Sequence, residues 1–368
     1  MTVYLLAGGG TAGHVNPLLA VADALRAREP DATVLVLGTR EGLEARLVPE
    51  RGYELLTIPR LPFPRRVSRD AALFAPRFRS AVASIRRIIR ERGVDAVVGF
   101  GGYAAAPAYL AARASGTPLM LHEANAKPGL ANRLGARITT TVGVAFPNTP
   151  LPHATHVGMP LRLEITTLDR SAARAEAIEF FGLTPDRRTL LVTGGSTGAR
   201  RINTTVAESV AAVVDAGHQV LHLVGGTQVF EAPELPHYTM LRYCDRMDLA
   251  FAAADVAVSR AGAATLSELT ALGVPAVYIP YPVGNGEQRF NAESVLTAGG
   301  GVLVEDASFT PEWVSRELLP LLADDARIRA MGEAAASVGR TDGDERMVDL
   351  VLDGLAGASA RPPRRTRA

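Results

Sequence analysis

The first side chain equipped to move a proton is His14, which follows the run Gly8-Gly9-Gly10-Thr11-Ala12-Gly13 in "LLAGGGTAGHVNP" (5–17). Glycines directly after an apolar run let backbone N–H groups and a helix N-terminus come close to an anion. Histidine titrates near neutral pH, so one beside such a loop suits a general base as well as an ordinary structural role. Gly8 to Gly13 also satisfies G-x-G-x-x-G. A dinucleotide site would add an acidic residue about 20 residues on, at the end of the second strand. That strand ends here in Gly38-Thr39-Arg40. Arg40 suits a 2′-phosphate, so an NADP site stays open at this level.

Two further junctions repeat the pattern. In "GGSTGARRIN" (194–203), Ser196 can donate to a phosphate or cap the helix that follows. In "SRAGAATLSEL" (259–269), Thr265 and Glu268 have the spacing of a capping box. A carboxylate in that first turn can also bridge the two hydroxyls of a ribose whose phosphates lie on the helix N-terminus. "YPVGNGEQRFNAE" (281–293) then sets Asn285, Glu287, Gln288 and Asn291 on a glycine-containing loop. The 7 histidines form no H-E-x-x-H, and the single cysteine, Cys244, excludes a thiolate cluster and an intrachain disulfide. No metal or cofactor is expected. With no G-x-S-x-G elbow, a Ser/His/Asp hydrolase is disfavoured.

The elements that must position these groups read as alternating strands and helices. "VYLLAG" (3–8), "TVLVLG" (33–38), "DAVVGF" (95–100) and "PLMLHE" (118–123) are apolar runs of buried parallel strands, with helices over 16–29 and 106–115 between them. After about residue 163 the rhythm restarts, with strands at 189–196, 219–226, 254–262 and 274–282 and a helix over 199–217. Each half therefore opens strand, glycine loop, helix. The expected fold is α/β: two Rossmann-like, doubly wound parallel-sheet domains facing a cleft, with ligands beyond the carboxyl ends of the strands. The first domain is placed at 1–163 and the second at 164–356, its last helix free to pack back on the first. A Pro/Arg-rich tail, 357–368, is expected to be disordered.

The 368 residues are 47% hydrophobic and 21% charged, as in a soluble globular protein. The net charge of +1 hides an asymmetry: residues 1–163 carry +9 and the remainder −8. The basic half is expected to meet something anionic. Nine arginines lie in 65–93 against Asp70 and Glu91, interleaved with Leu73, Phe74, Phe78, Ile85, Ile88 and Ile89. Such a stretch reads as an amphipathic helix whose apolar stripe is core, or as a surface for anionic lipid into which Leu73, Phe74 and Phe78 insert. Nucleic acid is disfavoured, since no aromatic platform accompanies the charge. "MTVYLLAGGG" reads as a first strand rather than a signal peptide, and "AVVGFGGYAAAPAYLAA" (96–112) is too broken to span a bilayer.

Taken in order, "GGTAGHVNP" (9–17), "GFGGY" (99–103), "HEAN" (122–125), "GLANR" (129–133), "GGSTGARRIN", "SRAGAATLSEL" and "GEQRFNA" (286–292) resemble one family over about residues 3–355. It is the MurG family of bacterial peptidoglycan glycosyltransferases, of GT-B fold, which add N-acetylglucosamine to lipid I to make lipid II. The resemblance implies a metal-independent, inverting transfer from UDP-N-acetylglucosamine to undecaprenyl-linked lipid I, performed peripherally at the cytoplasmic face of the cell membrane. It implies an anionic membrane surface and wall-synthesis and division proteins as further partners, and no nucleic acid. His14 becomes the expected base, with Glu123 as rival. Thr11, Ala12 and Gly13 would line the sugar and diphosphate, and Gly101, Gly102, Tyr103 and Asn132 the acceptor side. Asn125 and Arg162 would contact the donor side, Ser196 the diphosphate, and the Cys244 backbone uracil. Ala263, Ala264, Thr265, Leu266, Ser267 and Glu268 would hold phosphates and ribose, and Glu287 and Gln288 would face the N-acetylglucosamine. Ala12, Met159 and Glu287 depart from the usual glycine, asparagine and glutamine. Asp342-Gly343-Asp344 has the D-x-D spacing of metal-dependent glycosyltransferases but lies in a charged turn away from any strand end. The alternatives are a UDP-sugar 2-epimerase, which would have no use for the basic segment, and a non-catalytic nucleotide-sugar-binding scaffold.

Overall fold

The computed structural model of the chain describes residues 1–61, 69–226, 230–231, 233–283 and 285–359. Its contacts divide it into two units, Met1–Arg162 with Asp342–Ala368, and Leu163–Thr341. In the first, β1 (Val3–Ala7), β2 (Thr33–Gly38), β3 (Glu54–Thr57), β4 (Ala96–Gly99), β5 (Leu119–Glu123), β6 (Thr141–Val144) and β7 (Ala154–His156) form a sheet in the order β3-β2-β1-β4-β5-β6-β7. All its pairings are parallel. The crossovers carry α1 (Ala12–Arg28), α2 (Glu44–Glu50), α3 (Arg69–Glu91), α4 (Ala105–Ser115) and α5 (Leu130–Gly135). Side chains alternate across each strand. Leu5 and Ala7 enter a core with residues of α3 and α4, while Tyr4 and Leu6 enter one with α1 and the last helix, Gly343–Ser359. Both faces are covered, which is why the strands read as unbroken apolar runs.

The second unit repeats the plan. Strands β8 (Thr189–Thr193), β9 (Gln219–Leu223), β10 (Tyr238–Leu241), β11 (Val256–Ser259), β12 (Ala276–Tyr278) and β13 (Gly301–Leu303) order as β10-β9-β8-β11-β12-β13, again all parallel. In both sheets the strand order reverses next to the first strand of the unit, between β1 and β4 and between β8 and β11. Successive crossovers there leave toward opposite faces, and the loops beyond the strand ends part to leave a crevice. The glycine loops after β1, β4, β8 and β11 therefore occupy the binding position of each sheet.

Several boundaries differ from the sequence reading. Helix α1 begins at Ala12, not 16, and runs through Pro17. The first four amides of a helix need no intrahelical acceptor, and Pro17 lies just beyond them, where one hydrogen bond is lost and the helix persists. His14 thereby sits in the first turn. The last helix belongs to the first unit: Met347 packs on Gly143, and Gly354 on Thr141 and Met120. It runs to Ser359, so 357–359 are helical where a tail was expected, and 360–368 lie outside the described residues.

In α3, Ala81, Ile85 and Ile89 are buried and Phe74, Phe78, Val82 and Ile88 pack against the same core. Phe74 and Phe78 stack with ring centroids 5.5 Å apart. The apolar stripe is thus mostly core, with Phe74 and Phe78 partly buried against it. Leu73, 46% exposed, and the exposed Arg77, Arg79, Arg86, Arg87 and Arg90 remain outward. Arg65 and Arg66 lie outside the described residues, and Arg69 is described in backbone only. No helix among the described residues is long and apolar enough to cross a membrane.

Each sheet also buries a histidine. His122 in β5 is 1% exposed and its Nε2 lies 2.9 Å from the Gly158 carbonyl oxygen, while His222 in β9 is fully buried between the Tyr238 hydroxyl (2.8 Å) and Asn203 Oδ1 (3.2 Å). Burial disfavours the imidazolium and pushes both down to about 4. In the unfolded chain both titrate near 6.5. The folded protein therefore holds them neutral, and their contribution is complete above pH 6.5 and drains away as pH falls toward 4, on the order of 3 kcal/mol each. Denaturant titrations at pH 7 and pH 4.5 should show this loss, and His222→Gln should flatten the pH dependence of the second unit while lowering its stability at pH 7.

Candidate functional site

The first switch point is built on two loops whose backbones touch. A Cβ on Gly102 would lie 2.3 Å from the Gly9 carbonyl oxygen, and Gly102 holds φ at +82°. Only glycine fits both demands. Thr11 is the N-cap of α1, with Oγ1 3.3 Å from His14 Nδ1. The half-buried His14 ring turns toward the second loop, where a Cβ on Gly101 would lie 3.2 Å from Nε2. The Tyr103 ring covers Gly10, and the Arg60 guanidinium stacks on that ring at 4.7 Å while donating to its hydroxyl at 3.3 Å.

Glu123 closes β5, buried at 3% exposure. Its carboxylate accepts from Asn125 N (2.8 Å), Asn125 Nδ2 (3.3 Å), Gly129 N (3.0 Å) and Asn132 Nδ2 (3.0 Å). Asn132 is 2% exposed, donates also to the His122 carbonyl oxygen at 3.0 Å and accepts from Tyr109 Oη at 2.6 Å. Asn132, expected to face the acceptor, is a buried brace instead. With four hydrogen bonds converging on it, the Glu123 carboxylate holds the turn after β5. Its charge still acts on His14. Burial lowers the His14 imidazole from its ordinary value, opposed first by Glu123, then by a hydrogen bond with the Gly9 backbone and by the charge of Glu44. Burial thus favours the neutral ring, while the charges of Glu123 and Glu44 favour the imidazolium it would become.

The dinucleotide reading fails at Glu44. This 1% exposed side chain accepts from Gly10 N (2.8 Å), Thr39 N (2.9 Å) and Thr39 Oγ1 (2.8 Å). It fills the space between the first loop and the end of β2, where a dinucleotide ribose would lie. Arg40 donates to Thr57 Oγ1 at 3.3 Å. The Gly10 amide, read from sequence as a donor to an anion, is already taken.

At the second switch point, the loop after β8 folds tightly: a Cβ on Gly194 would lie 2.3 Å from Ala199 N, and one on Gly225 2.2 Å from Gly198 N. The helix Arg200–Asp215 has Ala199 as its N-cap, so the exposed Ser196 is not the cap. The helix Ala263–Ala271 has Gly262 as its N-cap. Thr265 therefore lies inside the helix, the capping-box reading is wrong, and Glu268 sits in the second turn, 7% exposed. Ala263 and Leu266 are buried; Ala264, Thr265 and Ser267 are half-buried. Glu287–Asn291 is a short helix rather than loop; Gln288 Oε1 accepts from Tyr281 N (2.9 Å) and Asn291 Nδ2 donates to the Ala261 carbonyl (3.2 Å). Cys244 is half-buried between β10 and the helix Met247–Ala253, and burial pushes its thiol up.

Within their own units, the structure gathers Thr11, Ala12, Gly13, His14, Gly101, Gly102, Tyr103 and Glu123 at the first switch point, and Ser196 and Ala263 to Glu268 at the strand ends of the second sheet. Asn125 belongs to the Glu123 turn. Arg162, half-buried, ends the first unit, and the departing residue Met159 is buried against Gly343. Sequence reasoning missed Glu44, Arg60 and Arg260. Arg260 pairs with Asp306 at 2.6 Å, donates to the Ile279 and Pro280 carbonyls at 3.1 Å each, and lies over the Tyr281 ring at 5.5 Å. Its position directly before the third glycine junction was the available signal.

The chain matches the glycosyltransferase family 28 N-terminal domain over residues 4–144 and the glycosyltransferase family 28 C-terminal domain over 189–347. It is 66% identical over 363 residues, 98% of this chain and 99% of that protein, to the UDP-N-acetylglucosamine--N-acetylmuramyl-(pentapeptide) pyrophosphoryl-undecaprenol N-acetylglucosamine transferase of Clavibacter sepedonicus. The Streptomyces coelicolor protein of the same name is 50% identical, covering 97% of this chain and 99% of its own. Among solved structures, Acinetobacter baumannii MurG superposes with a TM-score of 0.77 at 28% identity, covering 96% of this chain and 100% of that one. A UDP-GlcNAc 2-epimerase from Neisseria meningitidis shares the fold at 13% identity and a TM-score of 0.69. With two parallel Rossmann-like sheets of GT-B type, family 28 matches over both and near-full-length relatives at 50% identity and above, the chain belongs to the MurG family of glycosyltransferases.

Proposed function

We propose that this chain transfers N-acetylglucosamine from UDP-N-acetylglucosamine to the C4 hydroxyl of N-acetylmuramic acid in undecaprenyl-linked lipid I, with inversion, giving lipid II. The observation that carries the mechanism is the placement of His14 in the first turn of α1, its Nδ1 3.3 Å from Thr11 Oγ1 and its ring against the Gly101 loop, where burial lowers the imidazole and the charges of Glu123 and Glu44 oppose that. His14 takes the acceptor proton, the freed oxygen attacks C1 of the sugar, and UDP leaves from the opposite side. Glu123 and Glu44 stabilise the imidazolium as it forms. In the second unit, the N-terminal ends of Arg200–Asp215 and Ala263–Ala271 present amides and positive dipole ends to the departing diphosphate. Ser196 and the Ala263 to Ser267 backbone hold the phosphates, Glu268 the ribose hydroxyls, the Cys244 backbone the uracil, and Glu287 and Gln288 the sugar. Asn125 and Arg162 act on the donor side, and Thr11 to Gly13 and Gly101 to Tyr103 serve the reacting sugar and acceptor.

His14→Gln should lower kcat by roughly 10²–10⁴-fold, the usual worth of a general base, with UDP-N-acetylglucosamine affinity unchanged. Lipid II formation from a soluble lipid I analogue, beside calorimetric titration of the donor, measures both. Retention of full turnover removes His14 as the base.

Glu268→Ala should weaken UDP binding by about 1.5–3 kcal/mol, as for hydrogen bonds to a charged group. Because Glu268 is not a cap, this loss should exceed any loss of helix stability. Calorimetry paired with thermal melting separates the two.

A lipid-tailed acceptor keeps the enzyme at a membrane; the face we propose is the cytoplasmic one, with Arg77, Arg79, Arg86, Arg87 and Arg90, exposed on α3, toward anionic headgroups. Each basic residue near such a surface is worth about 1 kcal/mol, and the attraction fades with salt. Replacing Arg65, Arg66, Arg69, Arg77 and Arg79 by glutamine should reduce sedimentation with anionic vesicles and leave turnover of a short-chain soluble acceptor intact. Undiminished sedimentation at the same salt would move the membrane contact elsewhere.

A further inference from the structure

Glu44 is the one buried carboxylate around which the glycines of the first site are arranged. A Cβ on Gly9, Gly38 or Gly42 would lie 2.3, 2.5 or 2.0 Å from a Glu44 side-chain atom. Real Cβ contacts do not come so near, so these three positions leave room for one side chain. Gly38 ends β2, Gly42 lies in the turn between β2 and α2, and Gly9 lies in the loop that leads into His14. The carboxylate is 1% exposed and receives three donors: Gly10 N on one oxygen, Thr39 N and Thr39 Oγ1 on the other. A buried carboxylate is tolerated only when its charge is met by such donors. Held this way, it ties the turn after β1 to the turn after β2.

We propose that Glu44 is a positioning residue for the reaction: its buried carboxylate grips the Gly9–Gly10 turn from beneath and sets the direction in which His14 leaves the first turn of α1. The proposal rests on the reading of His14 as the base. Three features support it. The Gly10 amide donates inward to Glu44, so this turn is a brace for the base rather than a cradle for phosphate. Thr11, directly after the braced amide, is both the N-cap of α1 and the neighbour of His14 Nδ1 at 3.3 Å. The charged groups acting on His14 are Glu123, from the end of β5, and Glu44, from the start of α2; the N-cap Thr11 is its neutral side-chain neighbour, and the Gly101 backbone, with Asn132 Nδ2 on its other side, lies against the ring.

Glu44→Gln tests this directly. Three donors converge on the carboxylate, and a carboxamide offers one acceptor oxygen and turns an NH₂ against the remaining donor. With UDP-N-acetylglucosamine and a soluble lipid I analogue, kcat should fall by about 10²-fold, the scale of a displaced catalytic group, while the donor KM is unchanged. Removing one of the two charges that favour the imidazolium should move the acid limb of the kcat–pH profile to lower pH. The same downward shift should appear in the His14 ring titration followed by nuclear magnetic resonance, with the resonance identified by its loss in His14→Gln. Thr39→Val, which removes one donor, and Glu44→Asp, which keeps the charge but shortens its reach, should lower kcat with the acid limb in place; they carry the test if Glu44→Gln does not fold. An unmoved His14 titration and an unmoved acid limb overturn the proposal. So does a loss in which kcat, donor KM and melting temperature worsen together, since that is a general fold defect. Absence of N-acetylglucosamine transfer by the parent protein would sink the proposed function instead, and the His14 titration would still judge the grip of Glu44.

Discussion

Right-handed crossovers between parallel strands impose the constraint on which everything else in this molecule rests. A chain that winds outward from a central strand, first to one edge and then to the other, must reverse its strand order once. At the reversal, two loops beyond the strand ends part company. Both sheets obey this, and in both the reversal lies beside the first strand of the unit. The glycine junctions are the local answer: loops that leave adjacent strands this closely need residues without Cβ, and Gly102 against Gly9 is the clearest case. The chemistry sits where the topology leaves room for it.

The two switch points solve opposite electrostatic problems. In the second unit the helices Arg200–Asp215 and Ala263–Ala271 begin without a side-chain cap, and a helix N-terminus carries positive potential, which suits the diphosphate of the proposed donor. In the first unit two carboxylates are buried, Glu44 met by backbone and hydroxyl donors and Glu123 by backbone and amide donors. Negative charge there would repel a phosphate, but it favours a histidine passing from neutral to cationic. Desolvation and the two carboxylates pull the imidazole in opposite directions. Burial is the larger influence and holds the ring below its ordinary value, and the proposed role of His14 as base draws on the two charges that oppose it.

Much of this was legible in the sequence because parallel strands buried on both faces leave continuous apolar runs, and because three glycine junctions announce their loops. What stayed hidden depended on contacts distant in the chain. Glu44 lies 34 residues from the amide it binds, and nothing local separates it from Glu50, the exposed glutamate at the other end of the same helix. Asn132 was read as an acceptor contact because its motif carries no record of Tyr109 and His122, which enclose it. The capping box at Thr265 failed because Gly262 starts that helix three residues earlier, and spacing alone cannot tell a cap from an interior position. The arginine-rich stretch held two patterns at once, a core stripe and a basic face, and α3 uses Phe74 and Phe78 for the first while leaving its arginines to the second.

The last helix, Gly343–Ser359, has a consequence for how the protein is made. It lays Met347, Val348 and Val351 on the first sheet, yet the ribosome reaches it only after the whole of the second unit. During synthesis, the face of the first sheet that carries Tyr4, Leu6, Val98 and Met120 waits with that part of its apolar surface open. The second unit is in effect an insertion, leaving the first near Met159 and returning beside it at Gly343. The unit begun first is therefore the one finished last, and a stalled or truncated nascent chain would present an incomplete first core to chaperones and proteases beside a second unit whose sequence is already whole.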